Sequence, residues 1–335
     1  MERLMKAIYL EKGLSVNVLQ YGNIKAPGDC GENQVLVRIK AIGINPIDCK
    51  IRTTPERFPV TYPLIPGCDG AGIVQAVGLH VKNFKPGDEV YFSQPSFNNR
   101  QGTYTEYVLV DAGLLALKPH ALSFEQAAAA PLVFITAWEA LHDRVHITRN
   151  QTILIHAGAG GVGHAAIQLA KLTGAKVITT VSSEEKANFV RRLGADKIIN
   201  YRNQDVTAEV SQWTDGKGVD IAFDTIGPEV LQSCFHCVKP YGDVVTILQP
   251  APDTDWSEAR KRNVRLSFEL MLTPVLMELE DAKCHQGEIL MQCTALFDAN
   301  KLSVEIARTF GLADAVAAQN FLEENHPIGK LVMVI

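Results

Sequence analysis

Across the N-terminal third of the chain, apolar and polar residues alternate in short runs. The segments "KAIYL" (6–10), "QVLVRIKAIGIN" (34–45), "GAGIVQAVG" (70–78), "EVYF" (89–92) and "YTEYVLV" (104–110) read as strands. Between them stand turn-rich pieces such as "NIKAPGDCGEN", "YPLIPGCDG" and "NFKPGDE". Many short strands cut by Gly and Pro predict a barrel-like β domain. From about Leu122 the period changes. "SFEQAAAAPLVFITAWEALHD" (123–143) predicts a helix, "TILIHAG" (152–158) a buried strand, "HAAIQLAKLTG" (164–174) a helix, and "AKVITTV" (175–181) a strand. Helix "SSEEKANFVRRLG", strand "DKIINY", strand "VDIAFDTIG", helix "PEVLQSCFHCVKPYG" and strands "DVVTIL" and "NVRLSFEL" continue the alternation. Such alternation predicts βαβ units and a doubly wound parallel sheet. The remainder reads as one long helix over "PVLMELEDAKCHQGEILMQCTALFDAN" (274–300), the strand "SVEIARTF", the helix "LADAVAAQNFLEEN" and the strand "KLVMVI". This tail is too small to stand alone, so it is expected to pack on the β domain. The predicted division is 1–125 and 271–335 for a discontinuous β domain, with 126–270 as the α/β domain.

Composition narrows the class without choosing a function. A chain of 335 residues suits two domains. It is 47% hydrophobic and 21% charged with a formal net charge of -5, so nucleic acid is not an expected partner. The start "MERLMKAIYLEKG" lacks the pattern of a secretory signal, and the longest apolar run, "AAAAPLVFITAW", is too short to span a bilayer and contains Pro131. Seven cysteines without a disulfide framework point to a reducing, cytoplasmic setting.

Chemistry enters at Gly158, Gly160 and Gly163, a GxGxxG that follows a predicted strand and opens a predicted helix. Glycines there allow a tight turn and close backbone approach to a pyrophosphate, and the helix N-terminus supplies N–H groups and a positive dipole end. The spacing predicts dinucleotide binding by Gly158, Gly160 and Gly163. A dinucleotide site that prefers NAD usually ends its second strand with Asp or Glu. Here that strand ends Thr179, Thr180, Val181, Ser182, Ser183, with Lys186 one turn later and Tyr201 closing the next strand. Hydroxyls and a cation suit the extra phosphate of NADPH. Ser182 and Glu185 also satisfy a capping box, and Glu184 and Glu185 oppose the phosphate reading if they point inward.

The chain resembles a medium-chain dehydrogenase/reductase, and within that superfamily the zinc-free quinone oxidoreductases. The resemblance rests on "GINPIDCKIR" (43–52), "PGCDGAGIV" (66–74), "FKPGDEVY" (84–91), "GTYTEYVLV" (102–110), "FITAWEAL" (134–141), "HAGAGGVG" (156–163), "LGADKIINY" (193–201), "FDTIG" (223–227) and "IGKLVMVI" (328–335). It implies a GroES-like catalytic domain, an inserted Rossmann domain of α/β class, and an active site in the cleft between them. It also implies that Asn45 lines that cleft near the nicotinamide ribose, that Thr136 and the turn of Gly160, Gly161, Val162 and Gly163 contact the cofactor, and that Ser183, Lys186 and Tyr201 surround the 2′-phosphate.

The superfamily's other branch uses a catalytic zinc, which needs three protein ligands and an open position. Where zinc alcohol dehydrogenases carry the first ligand Cys, this chain has Asn45. Where they have Gly-His-Glu it has Gly67, Cys68 and Asp69, and near the third ligand it has Leu132. The four-cysteine cluster of a structural zinc is absent, and Cys234 and Cys237 read as buried thiols. No metal is expected, and a zinc-type alcohol dehydrogenase is disfavoured.

Without a Lewis acid, hydride transfer suits an acceptor that spreads charge itself, such as a quinone or an α,β-unsaturated carbonyl. Lys50 stands where several such reductases carry a tyrosine and could polarise a carbonyl or supply a proton; it could also simply point to solvent. Asp48 reads as a loop cap or an acid. Phe58 and Tyr62 could stack on a flat substrate, His156 reads as a core residue within the first Rossmann strand, and His164 as support for the turn. "NVRLSFEL" is expected at a sheet edge that pairs two copies into a homodimer. The alternative reading is a nucleotide-binding sensor or structural protein with no significant turnover.

Overall fold

The strand Gln34–Ile44 organises the first of two units. Its residues alternate half-buried and buried from Gln34 to Ala41, with Val35, Val37, Ile39 and Ala41 facing inward, and the strand is buried throughout from Ala41 to Ile44. It pairs antiparallel with Asp69–Val77, Tyr107–Asp111 and Lys330–Val334. The last of these brings the C-terminal strand into the same sheet as residues near the start of the chain, so this unit is discontinuous. The path of the seven-stranded sheet runs Ile306–Gly311, Lys330–Val334, Gln34–Ile44, Asp69–Val77, Glu89–Ser93, Leu115–Leu117, with Tyr107–Asp111 added on Gln34–Ile44. This computed structural model describes residues 3–12 and 19–335. The first unit comprises the chain up to Leu132 together with Leu272–Ile335, and the second is Val133–Met271. The first unit thus runs past residue 125, because the helix Phe124–Ala129 packs against the strands Gln34–Ile44 and Asp69–Val77. Ser123 starts that helix with a reciprocal capping box to Gln126.

The second unit is a six-stranded parallel sheet. Its order is Lys197–Asn200, Lys176–Val181, Thr152–Ile155, Val219–Asp224, Val238–Thr246, Arg265–Phe268. Helices follow most strands, as the alternating pattern predicts. Leu154, Ile178, Ile199, Ala222 and Val244 form one buried face with Val210, Leu231 and Phe235. Cys234 and Cys237 lie in that core on the helix Pro228–Cys237, where burial pushes both thiols up. The strand Arg265–Phe268 ends the sheet, with Phe268 exposed. Among the described residues no helix is long and apolar enough to cross a membrane. The architecture is a GroES-like β domain plus a Rossmann-like parallel-sheet domain.

The helix expected over 228–242 ends at Cys237, because Val238–Thr246 joins the sheet, and the strand Gln20–Lys25 reaches into the expected turn-rich "NIKAPGDCGEN"; three further elements differ from the pattern-based reading. The helix expected over 123–143 breaks into Phe124–Ala129, Pro131–Trp138 and a π-helical turn at Glu139–Arg144. Pro131 starts the second piece, since its ring cannot continue the first. The first Rossmann strand stops at Ile155, so His156 lies just beyond it. There its ring is buried, and burial holds it neutral, with the pKa lowered to about 4.

The third difference is the C-terminal helix, which splits into Thr273–Leu276 and Glu280–Asp298. Glu278, at φ 53, makes the break. That turn aims its carboxylate at Arg100, which donates from Nη1 at 2.6 Å and Nη2 at 2.8 Å, and at Lys283 Nζ at 2.9 Å. Arg100 and Lys283 both also reach Asp111 Oδ2, and Lys283, whose side chain is fully buried, reaches Glu280 Oε1 as well. Two cations are thereby matched by three carboxylates at the base of the helix. A hydrophobic period carries no information about such a network.

The Arg100 guanidinium beside Glu278 lowers its carboxyl from the ordinary 4.5 to about 2. A depressed carboxyl stabilises the fold above its unfolded value, and that stability is lost as pH falls through the folded value. Glu278→Gln should therefore cost about 1 kcal/mol near pH 7, a figure discounted for the half-exposed side chain. The gap in melting temperature between the two proteins should shrink from pH 4.5 downward and close near pH 2. A gap that stays constant across this range would refute the assignment.

Candidate active site

In the second unit, the chain leaves the strand Thr152–Ile155, turns through 156–160, and enters the helix Gly161–Thr173. Ala157 takes a positive φ of 48°, and Gly160 N–H closes the turn on Ala157 O at 2.9 Å. Two glycines are required by packing. A Cβ on Gly158 would strike Thr179 Oγ1, a hydroxyl that donates to Ile155 O at 2.7 Å. A Cβ on Gly163 would strike Ala157 O and come within 2.8 Å of Gly158 Cα, so the helix could not close on the bend. Gly160 differs: among the described residues outside its own chain neighbours and helix backbone, its absent Cβ would meet just Ala157 O, at 3.3 Å, so this side of the bend is open. No side chain caps the helix at Gly160, and the first-turn N–H groups of Gly161, Val162 and Gly163 stand at its positive end. His164 supports the turn from beneath, its Nδ1 3.0 Å from Gly160 O. The cradle fits a dinucleotide pyrophosphate.

The neighbouring strand Lys176–Val181 ends without a carboxylate. Ser183, and not Ser182, caps the following helix Glu184–Arg192, accepting from Lys186 N at 3.3 Å. The capping box expected between Ser182 and Glu185 is therefore replaced by a Ser183 cap, which places Ser182 between strand and cap. Glu184 and Glu185 are exposed, with Glu184 turned toward Arg191, while Lys186 is half-buried. Tyr201 N donates to Val181 O at 3.1 Å, which sets this residue beside the Ser182 end of the adjacent strand. Ser182, Ser183, Lys186 and Tyr201 thus come together at the carboxyl ends of two parallel strands. Thr136 lies on the helix Pro131–Trp138 and is 4% exposed.

In the first unit, Asn45 ends the strand Gln34–Ile44 and starts the helix Pro46–Thr53. Asp48 Oδ2 accepts from Asn45 N at 2.9 Å and from Tyr104 Oη at 3.1 Å, and Gln319 Nε2 donates to Tyr104 Oη at 3.4 Å. Asp48 is fully buried, and burial pushes its carboxyl up to about 7. Asn45 Nδ2 donates to Asp69 Oδ2 at 2.9 Å, and Lys330 Nζ donates to Asn45 Oδ1 and to Ile44 O at 2.9 Å. Lys330 Nζ lies 3.9 Å from Asp69 Oδ2, and Leu132 N donates to Asp69 Oδ1 at 3.1 Å. Burial raises the Asp69 carboxyl while Lys330 pulls it down; burial lowers the Lys330 ammonium while Asp69 holds it up. Cys68 is buried beside Asp48, its thiol pushed well up by burial, and Cys49 is held up at about 12 for the same reason.

These placements bear on several expectations. Asn45, expected near the nicotinamide ribose, is buried with both ends of its amide engaged. Asn45 is the helix cap and Asp48, three residues on, closes the capping box by accepting from Asn45 N; its partner Tyr104, and Gln319 behind Tyr104, escaped the pattern-based reading. Lys50 is exposed on the last turn of the helix Pro46–Thr53. Phe58 stacks on Phe97, with ring centroids 5.6 Å apart, so its face is taken by packing, whereas Tyr62 is exposed. Lys330 carries a signal in the residues themselves, a charge at the start of the otherwise apolar "KLVMVI".

Known proteins carry the same architecture. Residues 31–120 match the family of alcohol dehydrogenase GroES-like domains, and residues 193–333 match a family described as zinc-binding dehydrogenase. A quinone oxidoreductase from Pseudomonas aeruginosa is 33% identical, covering 95% of this chain and 95% of its own length. A 2-haloacrylate reductase from a Burkholderia species is 32% identical over 99% of both chains. The solved structure of Escherichia coli quinone oxidoreductase complexed with NADPH superposes with a TM-score of 0.86 at 29% identity, covering 99% of this chain and 100% of that one. The paired domains, the glycine bend and these full-length similarities establish that the chain belongs to the medium-chain dehydrogenase/reductase superfamily of oxidoreductases, in its quinone oxidoreductase-like group.

Proposed function

We propose that this protein is an NADPH-dependent reductase of quinones or α,β-unsaturated carbonyl compounds that works without a metal. The observation that carries the cofactor choice is the strand end itself: Val181, Ser182 and Ser183 stand where a carboxylate would repel a 2′-phosphate, with Lys186 and Tyr201 beside them. A phosphate dianion gains charge-assisted hydrogen bonds from such groups. The similar Escherichia coli enzyme was solved with NADPH, in agreement with this choice.

The name of the matching domain family raises the question of zinc. The donor set fits zinc poorly. Asn45 is a neutral amide already bonded at both ends, the Cys68 thiol is held protonated by burial, and Leu132 offers no ligand atom from its side chain. Among the described residues no three His, Cys, Asp or Glu side chains are grouped to hold a metal ion.

When bound, the reduced nicotinamide supplies a hydride to the acceptor. The protein's own share is to hold the pyrophosphate on the Gly158–Gly163 bend, to exclude water, and to place a proton donor. A conjugated acceptor spreads the arriving charge to oxygen, so a hydrogen-bond donor suffices in place of a Lewis acid. Asn45 and Asp48 are buried in the protein and act by positioning. Lys50 alone presents its head group to solvent and is our candidate donor. Among the relatives, one named a quinone oxidoreductase and one named a 2-haloacrylate reductase support a conjugated acceptor. The edge strand Arg265–Phe268 suits pairing with a second copy, and the seven unpaired thiols suit a reducing cytoplasm.

Loss of NADPH absorbance against a panel of ortho-quinones, para-quinones and 2-alkenals should reveal turnover. Binding of NADPH with no turnover of any acceptor would favour the sensor reading. Lys186→Ala should weaken NADPH about 10-fold, roughly one charge-assisted hydrogen bond, while changing NADH less than about 2-fold. Equal losses for both cofactors would contradict the phosphate assignment. Lys50→Met should lower kcat about 10- to 100-fold with NADPH affinity unchanged, as expected for loss of an acid; an unchanged kcat would remove Lys50 from the chemistry.

A further inference from the structure

Gln319 is fully buried on the helix Ala315–Asn325, and both ends of its amide are engaged by other elements. Its Oε1 accepts from Arg52 Nε at 2.6 Å, and its Nε2 donates to Tyr104 Oη at 3.4 Å. Arg52 follows Lys50 on the helix Pro46–Thr53, and its Nη2 donates to Glu323 Oε2 at 2.8 Å, one turn along from Gln319. A guanidinium can only donate, so the amide oxygen must face Arg52 and the amide nitrogen must face Tyr104. The Tyr104 oxygen therefore accepts from Gln319, and its own proton is left for Asp48 Oδ2, 3.1 Å away. That same carboxylate oxygen accepts from Asn45 N and closes the capping box of the helix. Donation thus runs one way, from Arg52 to Gln319 to Tyr104 to Asp48, and it begins and ends on the helix that carries Lys50.

We infer that Gln319 is a positioning residue for the proposed reductase chemistry: its amide sets the direction of this closed circuit and thereby fixes the helix that presents Lys50. It touches neither substrate nor cofactor, and acts through Arg52 at one end and through Tyr104 and Asp48 at the other. Gln319, Tyr104 and Asp48 are each fully buried, so bulk water cannot replace a lost partner. A glutamate at this position, held ionised by Arg52, would keep the acceptor for the guanidinium but turn the other end from donor to acceptor. Tyr104 would then face two carboxylates with one proton, and one of them would lose its donor.

The test compares the full-length wild type with Gln319→Leu, Gln319→Glu, Tyr104→Phe and the double variant Gln319→Glu/Tyr104→Phe, in melting temperature, NADPH affinity, and kcat and KM for an acceptor that the wild type reduces. Gln319→Leu removes both bonds at similar volume and should lower kcat about 10-fold, while NADPH affinity stays within about 2-fold because the dinucleotide cradle belongs to the other unit. Gln319→Glu should melt below wild type and also lose about 10-fold in kcat. In the Tyr104→Phe background the contested hydroxyl is gone, so the same substitution should cost less than about 2-fold in kcat and little in melting temperature.

Equal costs of Gln319→Glu in the two backgrounds would overturn the fixed direction of the circuit. Lower melting temperatures with kcat unchanged in Gln319→Leu, or a kcat loss accompanied by an equal loss of NADPH affinity, would overturn the positioning role. Should Gln319→Leu not fold, the kcat of Gln319→Glu decides that role instead. The kinetic arm rests on the reductase reading. A wild type that turns over none of the acceptors fails that reading alone, since the melting temperatures of the four-member cycle decide the direction of the circuit without it.

Discussion

A buried ammonium must find its counter-charge within the protein, and in the first unit Lys330 finds it at Asp69. That requirement ties together three distant parts of the chain. Asp69 opens one strand, Asn45 closes another, and Lys330 begins the last, and the three strands are neighbours in the sheet. Pairing of Lys330–Val334 with Gln34–Ile44 delivers the charge to its partners, and the charge pair in turn favours that register, since a shift of one residue would send Lys330 to the opposite face.

The same unit handles another buried cation in a second way. Lys283 is fully buried yet meets Asp111, Glu278 and Glu280, of which Glu278 and Glu280 reach the surface. Water screens part of that network, and a break in the helix at Glu278 is enough to build it. The Lys330 pocket has no exposed member, so each of its polar atoms depends on its neighbours. Networks of that kind act as units, and removing one member leaves the others unsatisfied.

In the second unit the governing constraint is steric. Gly158 and Gly163 let strand, bend and helix approach closely, which leaves the helix N-terminus and the open side of Gly160 as an anion cradle. On the proposed reading, the end of Lys176–Val181, where no carboxylate stands, adds charge selectivity one strand away: shape would serve any dinucleotide, and the neighbouring side chains would discriminate between dinucleotides.

Much of this was legible in the residues alone. Period-two runs punctuated by Gly and Pro, then a strand–helix alternation around GxGxxG, determined the two-domain architecture, because backbone pairing and close packing act on local pattern. The Ser182–Ser183–Lys186–Tyr201 group was legible for the same reason, since parallel strands bring their carboxyl ends together in a known order. Only the tertiary structure decided that Asn45 is sealed inside the protein, that Asp48 is held by Tyr104, and that Lys330 meets Asp69. Those contacts join residues far apart in the chain, and no local period records them. A charge inside an apolar strand announces that a partner exists; the fold alone determines which residue that partner is.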